Sequence, residues 1–181
     1  MIPDAERILV SEEELHEICH RLGSQISKDY AGKDLLLVSV LKGAVVFMTD
    51  IMREITIPCT IDFMATSSYV GAESTGVVKI VKDLDKPIAG KHVLIIEDIL
   101  DSGRTLNYVE HSLLARNPAS LEICTLLDKP EARVIDSVQP KYVGREITNE
   151  FVIGYGLDYN ERYRNLPYIA ILKEEIYSNK E

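Results

Sequence analysis

The chain has few of the features that mark membrane, secreted or disulfide-rich proteins. Its 181 residues contain no run of about 18 apolar residues, because Lys42 interrupts the longest candidate, and we therefore expect no membrane span. Three cysteines, Cys19, Cys59 and Cys124, lie in apolar settings without a CxxC pair, so we expect buried, reduced thiols. The opening MIPDAERILVSEEE carries acids where a targeting peptide needs basic residues. Together these absences predict a cytoplasmic protein with no membrane partner.

A basic excess is also missing. The sequence has 20 Lys and Arg against 29 Asp and Glu, which gives a net charge of −9. The broad positive field that nucleic-acid binding requires is therefore absent, and no nucleic-acid partner is expected. A phosphorylated substrate would need a local binding device, such as a helix N-terminus, a backbone nest, a metal ion or a few placed cations. Length and an ordinary composition, 46% hydrophobic and 27% charged, predict a single globular domain over residues 1–181.

Two hydrophobic periodicities alternate along the chain. The pattern SEEE at 11–14 is typical of a capping box, and apolar residues at helical spacing follow to about residue 28. The continuous apolar run at 35–41 is typical of a strand that is buried on both faces. Further helices are predicted around 45–52, 103–116 and 131–136, and further strands at 60–68, 76–82, 92–98, 121–127, 151–153 and 168–173. This alternation predicts an α/β fold with a mainly parallel sheet.

The most informative segment is VLIIEDILDSGRTL, residues 93–106. A buried strand runs into two adjacent carboxylates, Glu97 and Asp98, and a tight loop containing Gly103 then opens a helix. Ligands of open α/β sheets bind beyond the carboxyl ends of the strands, and amides at a helix N-terminus suit a phosphate monoester. The two carboxylates suit sugar hydroxyls or a divalent cation. The alternative is a simple strand–turn–helix junction in which Asp101 or Ser102 caps the helix. The patterns GxxxxGK[ST] and GxGxxG are absent, which disfavours P-loop NTPases and dinucleotide enzymes.

This segment resembles the phosphoribosyl-pyrophosphate signature of the type I phosphoribosyltransferases. The motifs LKG at 41–43, SSY at 67–69, LDKP at 127–130 and FVIGYGLDYNERYR at 151–164 are similar to those of the hypoxanthine-guanine phosphoribosyltransferase family, bacterial type. The resemblance covers nearly the whole chain in the family's order. It implies a type I phosphoribosyltransferase-like α/β fold, with a mainly parallel sheet flanked by helices. The core would span about 30–145, and the N-terminal and C-terminal segments would form a small hood for the base.

The implied activity is purine salvage. The 5-phosphoribosyl group of phosphoribosyl pyrophosphate would pass to N9 of hypoxanthine or guanine, giving IMP or GMP and pyrophosphate. The family's requirement for Mg²⁺ and its homodimers or homotetramers would be shared. One alternative is a regulator that binds phosphoribosyl pyrophosphate without catalysis, and another is a transferase for a different base. Asp101, Lys129 and the complete C-terminal base segment oppose the regulator. Adenine would need an acceptor where Lys129 offers a donor, and the resemblance to orotate and uracil enzymes is largely confined to the shared signature.

The resemblance also implies roles for single residues around the strand-end loop. Asp101 would be the general base at N7 of the purine. Glu97 and Asp98 would hold the ribose hydroxyls, directly or through Mg²⁺. The phosphoribosyl and 5′-phosphate site would comprise Glu97, Asp98, Asp101, Ser102, Gly103, Arg104 and Thr105.

Pyrophosphate would bind Lys42, Gly43 and Arg164, and the peptide bond before Lys42 can be cis in this family. The base site would comprise Lys129, Phe151, Val152 and Asp158: Lys129 would donate to the C6 oxygen, Phe151 would stack, the Val152 backbone would read the base edge, and Asp158 would ligate a second Mg²⁺. The polar segment 68–76, which starts with Ser68 and Tyr69, is predicted to be a lid that excludes water, the alternative being a solvent-exposed hairpin loop.

Overall fold

The computed structural model describes residues 1–68 and 78–178. Nine strands occupy these ranges: β1 (Ala5–Val10), β2 (Leu35–Leu41), β3 (Cys59–Ser68), β4 (Val78–Lys82), β5 (His92–Leu100), β6 (Ser120–Asp128), β7 (Tyr142–Glu146), β8 (Val152–Ile153) and β9 (Ile169–Leu172). The helices are α1 (Glu12–Asp29), α2 (Val45–Glu54), α3 (Arg104–Leu114) and α4 (Glu174–Ser178), with a short 3-10 turn at Pro130–Ala132.

Six strands form the large sheet, in the order β4-β3-β2-β5-β6-β7. The pairings of β2 with β3 and β5, of β5 with β6, and of β6 with β7 are parallel. Among the described strands of this large sheet, only the edge strand β4 runs antiparallel to its neighbour. The predicted α/β fold with a mainly parallel sheet is therefore confirmed. The parallel strands end at one edge of the sheet, and this edge is where the strand-end motif lies.

Alternate residues of the central strands face opposite layers of helices. Leu35, Leu37, Leu94 and Ile96 pack in a cluster with α1 and α2, whereas Leu36, Val38, Val93 and Ile95 pack with α3. Each fully buried apolar side chain of this kind contributes about 1.5–3 kcal/mol. Burial on both faces explains why these strands are continuous apolar runs and do not alternate with polar residues.

A second, three-stranded antiparallel sheet joins the two ends of the chain. Its order is β1-β9-β8, so a strand from residues 5–10 pairs with one from residues 169–172. A separate apolar cluster lies against it, including Ala5, Ile153, Ala170 and Leu172. This small sheet contains the start of the segment 151–164 that is predicted to bind the base, because β8 begins directly after Phe151.

Helix α1 starts as the sequence predicts. The Ser11 hydroxyl accepts a bond from the amide of Glu14 (3.2 Å), and the Glu14 carboxylate accepts one from the amide of Ser11 (2.8 Å). Both bonds of the capping box are present. Within the described ranges, no helix is long and apolar enough to cross a membrane.

Several elements differ from the sequence-based expectations. The predicted helix at 131–136 is wrong: the chain forms one 3-10 turn at Pro130–Ala132, because Arg133 is extended and the amides of Val134 and Ile135 donate to Ser102. Strands β1 and β7 and helix α4 were not predicted. The burial pattern of β1 has no clear alternation, and its partner β9 lies at the other end of the chain.

Candidate active site

The ends of β2, β5 and β6 bring the predicted catalytic and binding residues to one edge of the sheet. Lys42 follows β2, Asp101 follows β5 and Lys129 follows β6. The parallel register, in which Leu100 is opposite Asp128, sets the last two side by side. Residues far apart in the sequence therefore meet, as expected for ligand sites in open α/β sheets.

The loop after β5 presents free backbone amides. Gly103 has a φ of 81°, a left-handed conformation that glycine adopts at little cost, and it is the N-cap of α3. The Asp101 side chain makes no capping bond to the helix, whereas the Ser102 hydroxyl accepts a long bond from the amide of Arg104 (3.5 Å). In the part of the chain that the structure describes, the amides of Ser102 and Gly103 donate no backbone bond. A cavity of about 90 Å³ opens here, lined by Glu97 and residues 99–106. This arrangement suits a phosphate group.

Glu97 and Asp98 form a buried carboxylate pair at the end of β5. Both residues are 8% exposed. Burial raises the pKa of Glu97 well above its usual value, and the neighbouring charge of Asp98 raises it further. Burial also raises the pKa of Asp98, although its hydrogen bonds and Arg164 oppose that shift. Two adjacent carboxylates that are costly to ionise here are a suitable place for a divalent cation, which would supply the missing positive charge.

We expect Glu97→Gln to stabilise the ligand-free protein at neutral pH, by about 1–3 kcal/mol, because glutamine avoids the cost that burial imposes on the Glu97 carboxyl, whether that cost is met by ionisation or by uptake of a proton on folding. The Gln oxygen can still accept the bond from the Asp98 amide that Glu97 accepts at 3.1 Å. The raised pKa of Glu97 lowers the stability of the native protein only at pH values above the ordinary pKa of glutamate. At acid pH the carboxyl is protonated in both the folded and the unfolded state, and the stability gain of Glu97→Gln should disappear. Denaturant unfolding at neutral and acid pH measures both effects.

Glu131→Gln, a change at an exposed residue on the turn after β6, is the control and should leave stability unchanged at either pH. An unchanged or lower free energy of unfolding for folded Glu97→Gln at neutral pH would contradict the raised pKa.

The turn after β2 packs tightly against this pair. A Cβ atom added to Gly43 would come within 1.9 Å of the Asp98 carboxylate. A Cβ on Gly156 would come within 2.0 Å of the Gly43 carbonyl oxygen, so a third loop approaches the same point. The peptide bond between Leu41 and Lys42 is cis. Larger side chains at either glycine would separate the three loops.

An ion-pair cluster joins the Lys42 turn to the C-terminal loop. Lys42 Nζ lies 2.9 Å from Glu161 Oε2, and Arg164 Nη2 lies 2.9 Å from Asp158 Oδ1 and 3.3 Å from Glu161 Oε1. The Lys42 hydrogen bond and charge lower the pKa of the Glu161 carboxyl. The structure therefore brings Lys42 and Arg164 together, and it adds Glu161, which sequence reasoning missed. No local signal pointed to Glu161, because its partner Lys42 lies 119 residues away in the chain.

The contacts of Asp158 are with the C-terminal loop and not with the Glu97–Asp98 pair. Its carboxylate pairs with Arg164 and accepts the amide of Glu161 at 2.8 Å. Over residues 1–68 and 78–178, no three His, Cys, Asp or Glu side chains form a metal-binding group. A Mg²⁺ ion at Glu97 and Asp98 would therefore need substrate oxygens or waters as its other ligands, which is how Mg²⁺ commonly binds in proteins.

Lys129 is a buried ammonium beside the strand-end loop. It is 6% exposed, and its amide donates to the Leu100 carbonyl at 2.9 Å. Burial lowers the pKa of Lys129, while the nearby charges of Asp101 and Glu150 oppose that shift. The ammonium has no hydrogen-bond or ion-pair partner among the described residues, so it is available to a ligand. The charge of Glu150, the residue before Phe151, also shows that the base segment lies near Lys129.

Phe151 and Val152 lie at the start of β8. Phe151 is 36% exposed and stacks on Tyr177, with ring centroids 5.0 Å apart. Tyr159 contacts the same ring edge to face at 5.6 Å. Val152 is buried and pairs with Ile171. The tyrosine stack was not predicted, because Tyr177 lies in the short helix α4. Of the predicted lid, Ser68 ends β3, whereas Tyr69 and residues 70–76 lie outside the described residues.

Fold and site together define a type I phosphoribosyltransferase: a mainly parallel sheet whose central strand ends in two acids and a phosphate-sized loop. The chain belongs to the phosphoribosyl transferase domain family, whose sequence profile matches residues 11–160. The resemblance drawn from the motifs is confirmed.

The chain is 54% identical over 177 residues to the hypoxanthine-guanine phosphoribosyltransferase of Staphylococcus aureus strain Mu50, covering 97% of this chain and 98% of that protein. Identity to the enzyme of the same name from Streptococcus pneumoniae strain R6 is 49%, with the same coverage. A crystal structure of a hypoxanthine phosphoribosyltransferase from Staphylococcus aureus superposes with a TM-score of 0.93 at 54% identity, covering 97% of this chain and 96% of that chain.

Proposed function

We propose that this protein is a hypoxanthine-guanine phosphoribosyltransferase of purine salvage. It transfers the 5-phosphoribosyl group from phosphoribosyl pyrophosphate to N9 of hypoxanthine or guanine, and it releases pyrophosphate with IMP or GMP. One observation carries the proposal: the backbone of the buried residue Lys129 is bonded to the start of the phosphate-sized loop at 101–105, and its ammonium is close enough to be affected by the charge of Asp101. A phosphoribosyl site and a donor for a 6-oxopurine thus share one edge of the sheet.

The loop would bind the 5′-phosphate. Three kinds of donor are available to a phosphate dianion there: the free amides of Ser102 and Gly103, the hydroxyls of Ser102 and Thr105, and the N-terminus of α3. Arg104, the first residue of α3, adds a positive charge at the same end. Binding there would hold the ribose over the Glu97–Asp98 pair.

Positive charge develops on the ribose as pyrophosphate leaves, as in other reactions at an anomeric carbon. The Asp101 carboxylate would accept the purine proton at N7 and stabilise that charge. Within the described chain it has no hydrogen-bond or ion-pair partner, which leaves it available to substrate. Lys42 and Arg164 would bind the leaving pyrophosphate, and Arg164 can do so with a guanidinium fork.

Mg²⁺ is the proposed cofactor. Glu97 and Asp98 would hold it at the ribose, and Asp158 would hold a second ion near pyrophosphate. When bound, Mg²⁺ would neutralise part of the diphosphate charge. The net charge of −9 adds to the need for such a cation, since a multiply charged anion is otherwise repelled.

The base would lie between Phe151 and Lys129. Phe151 would stack on the purine, the Val152 backbone would read its edge, and Lys129 would donate to the C6 oxygen. The small sheet of β1, β8 and β9 is the proposed hood. Neither the fold nor the relatives' names favours the non-catalytic regulator.

We propose a cytoplasmic homodimer or homotetramer built from one domain. The three free cysteines fit a reducing compartment. The oligomer rests on the family resemblance, and light scattering on the purified protein would measure it directly.

An assay of the purified protein with phosphoribosyl pyrophosphate and Mg²⁺ tests the function. We expect turnover with hypoxanthine and guanine, little with adenine, orotate or uracil, and none after metal removal by excess EDTA. Xanthine is included as a further arm to define the range of bases. Binding of phosphoribosyl pyrophosphate without turnover of any base would support the regulator instead. Full turnover in EDTA, with metal content checked, would overturn the Mg²⁺ assignment alone.

A further inference from the structure

Three successive carbonyl groups at the start of the phosphate loop are held by one short segment, residues 129–135. The bonds run from the Lys129 amide to the Leu100 oxygen (2.9 Å), from Arg133 Nε to the Asp101 oxygen (3.1 Å), and from the Val134 and Ile135 amides to the Ser102 oxygen (3.0 and 3.1 Å). Only the Asp101 bond comes from a side chain. The segment thus binds the loop through its carbonyls and leaves the amides of Ser102 and Gly103 free.

Arg133 is buried at the centre of this contact. Its side chain is 8% exposed, and its guanidinium donates in three directions: to the Asp128 carboxylate, to the Val138 carbonyl (2.8 Å) and to the Asp101 carbonyl. Its stem lies against the turn of the loop, since a Cβ atom on Gly103 would come within 3.2 Å of Arg133 Cδ. One side chain therefore joins the end of β6 to the residue proposed as the catalytic base.

We propose that Arg133 is a positioning residue for phosphoribosyl transfer. Resting on the function proposed above, the inference is that Arg133 holds the Asp101 carbonyl so that the free amides face the 5′-phosphate and the Asp101 side chain faces the purine. Asp128 neutralises the buried guanidinium and precedes Lys129, so the same ion pair links the orientation of the phosphate loop to the position of the base donor.

The planar shape of the guanidinium is what this role requires. The Asp128 carboxylate and the carbonyls of Asp101 and Val138 lie in three fixed directions around the guanidinium. A lysine ammonium on a flexible stem cannot donate in the same three directions. Lysine can keep the charge opposite Asp128 but cannot reach both carbonyls with the same geometry. A displacement of about 1 Å at a reacting group is enough to lower the rate substantially, so the loss of the Asp101 bond should be measurable.

The test compares steady-state kinetics of Arg133→Met and Arg133→Lys with wild type. We expect Arg133→Met to raise KM for phosphoribosyl pyrophosphate about tenfold or more, and to lower kcat. Arg133→Lys should shift the same two parameters by less. A purely structural role would lower the active fraction, and with it the apparent kcat, without raising KM for phosphoribosyl pyrophosphate.

Arg116→Met is the matched control. Arg116 also pairs with an aspartate, Asp83 (2.8 Å), and bonds to the Ser112 carbonyl, but it lies after the C-terminal end of α3. This variant should keep the wild-type KM.

A folded Arg133→Met with wild-type KM for phosphoribosyl pyrophosphate overturns the proposal. Arg133→Met leaves the buried Asp128 carboxylate without its ion-pair partner, which lowers stability. If Arg133→Met does not fold, Arg133→Lys decides: a raised KM supports the proposal and a wild-type KM overturns it. An inactive wild-type protein would instead refute the proposed function, so the two failures are distinguishable.

Discussion

Asp101→Asn is expected to lower kcat by about 10²–10⁴-fold while the protein stays folded and still binds both substrates. This is the usual contribution of a positioned acid–base group. The Asn side chain has nearly the same shape, but its amide cannot take up the purine proton or stabilise a developing positive charge. Folding should be unaffected, because the Asp101 carboxylate has no hydrogen-bond or ion-pair partner in the described chain and only its backbone carbonyl is bound, by Arg133.

Steady-state kinetics and isothermal titration with phosphoribosyl pyrophosphate separate these effects. Asp136→Asn removes the same charge from an exposed residue near the loop and should keep wild-type turnover. Wild-type kcat in folded Asp101→Asn would show that another group, or water, accepts the proton. A loss of substrate binding equal to the loss of kcat would instead assign Asp101 to binding.

Lys129→Gln is expected to reduce the preference for 6-oxopurines over adenine by about 10²–10⁴-fold. An ammonium has three donors and no acceptor, so it pairs with the C6 oxygen of hypoxanthine or guanine and not with the amino group of adenine. Because Lys129 is buried and its ammonium has no other partner in the described chain, adenine would leave a desolvated charge unsatisfied. Sites of this kind reject an analogue that lacks the hydrogen bond by about 10⁴ or more. A glutamine amide can donate or accept and should discriminate far less.

The measurement is kcat/KM for hypoxanthine, guanine and adenine in wild type and variant. We expect lower values for both 6-oxopurines and a smaller ratio to adenine. Lys141→Gln, at a half-exposed lysine beside Glu122, is the charge-matched control and should change none of the three. An unchanged ratio in Lys129→Gln would place base selection elsewhere, most directly in the backbone around Val152.

The strand-end site was predictable because its residues are contiguous. Glu97, Asp98 and the loop to Thr105 lie within one segment, and an apolar strand that runs into acids, a glycine and a helix defines their relative positions locally. Arg133 and Glu161 were not predicted as part of the site. Their partners, Asp101 and Lys42, are 32 and 119 residues away in the chain, and a lone charged residue in a loop gives no local sign of such a partner.

The sequence by itself determined the α/β class, the buried central strands and the strand–loop–helix junction after β5 that forms the candidate site, because hydrophobic periodicity and turn residues act over a few positions. Tertiary structure alone decided that β1 pairs with β9 and that residues 131–136 do not form a helix, since the amides of Val134 and Ile135 bind Ser102. It also decided that Lys129 is buried and that Arg133 holds the Asp101 loop. These outcomes depend on contacts between distant segments, whose energies exceed the local preferences that a sequence pattern reports.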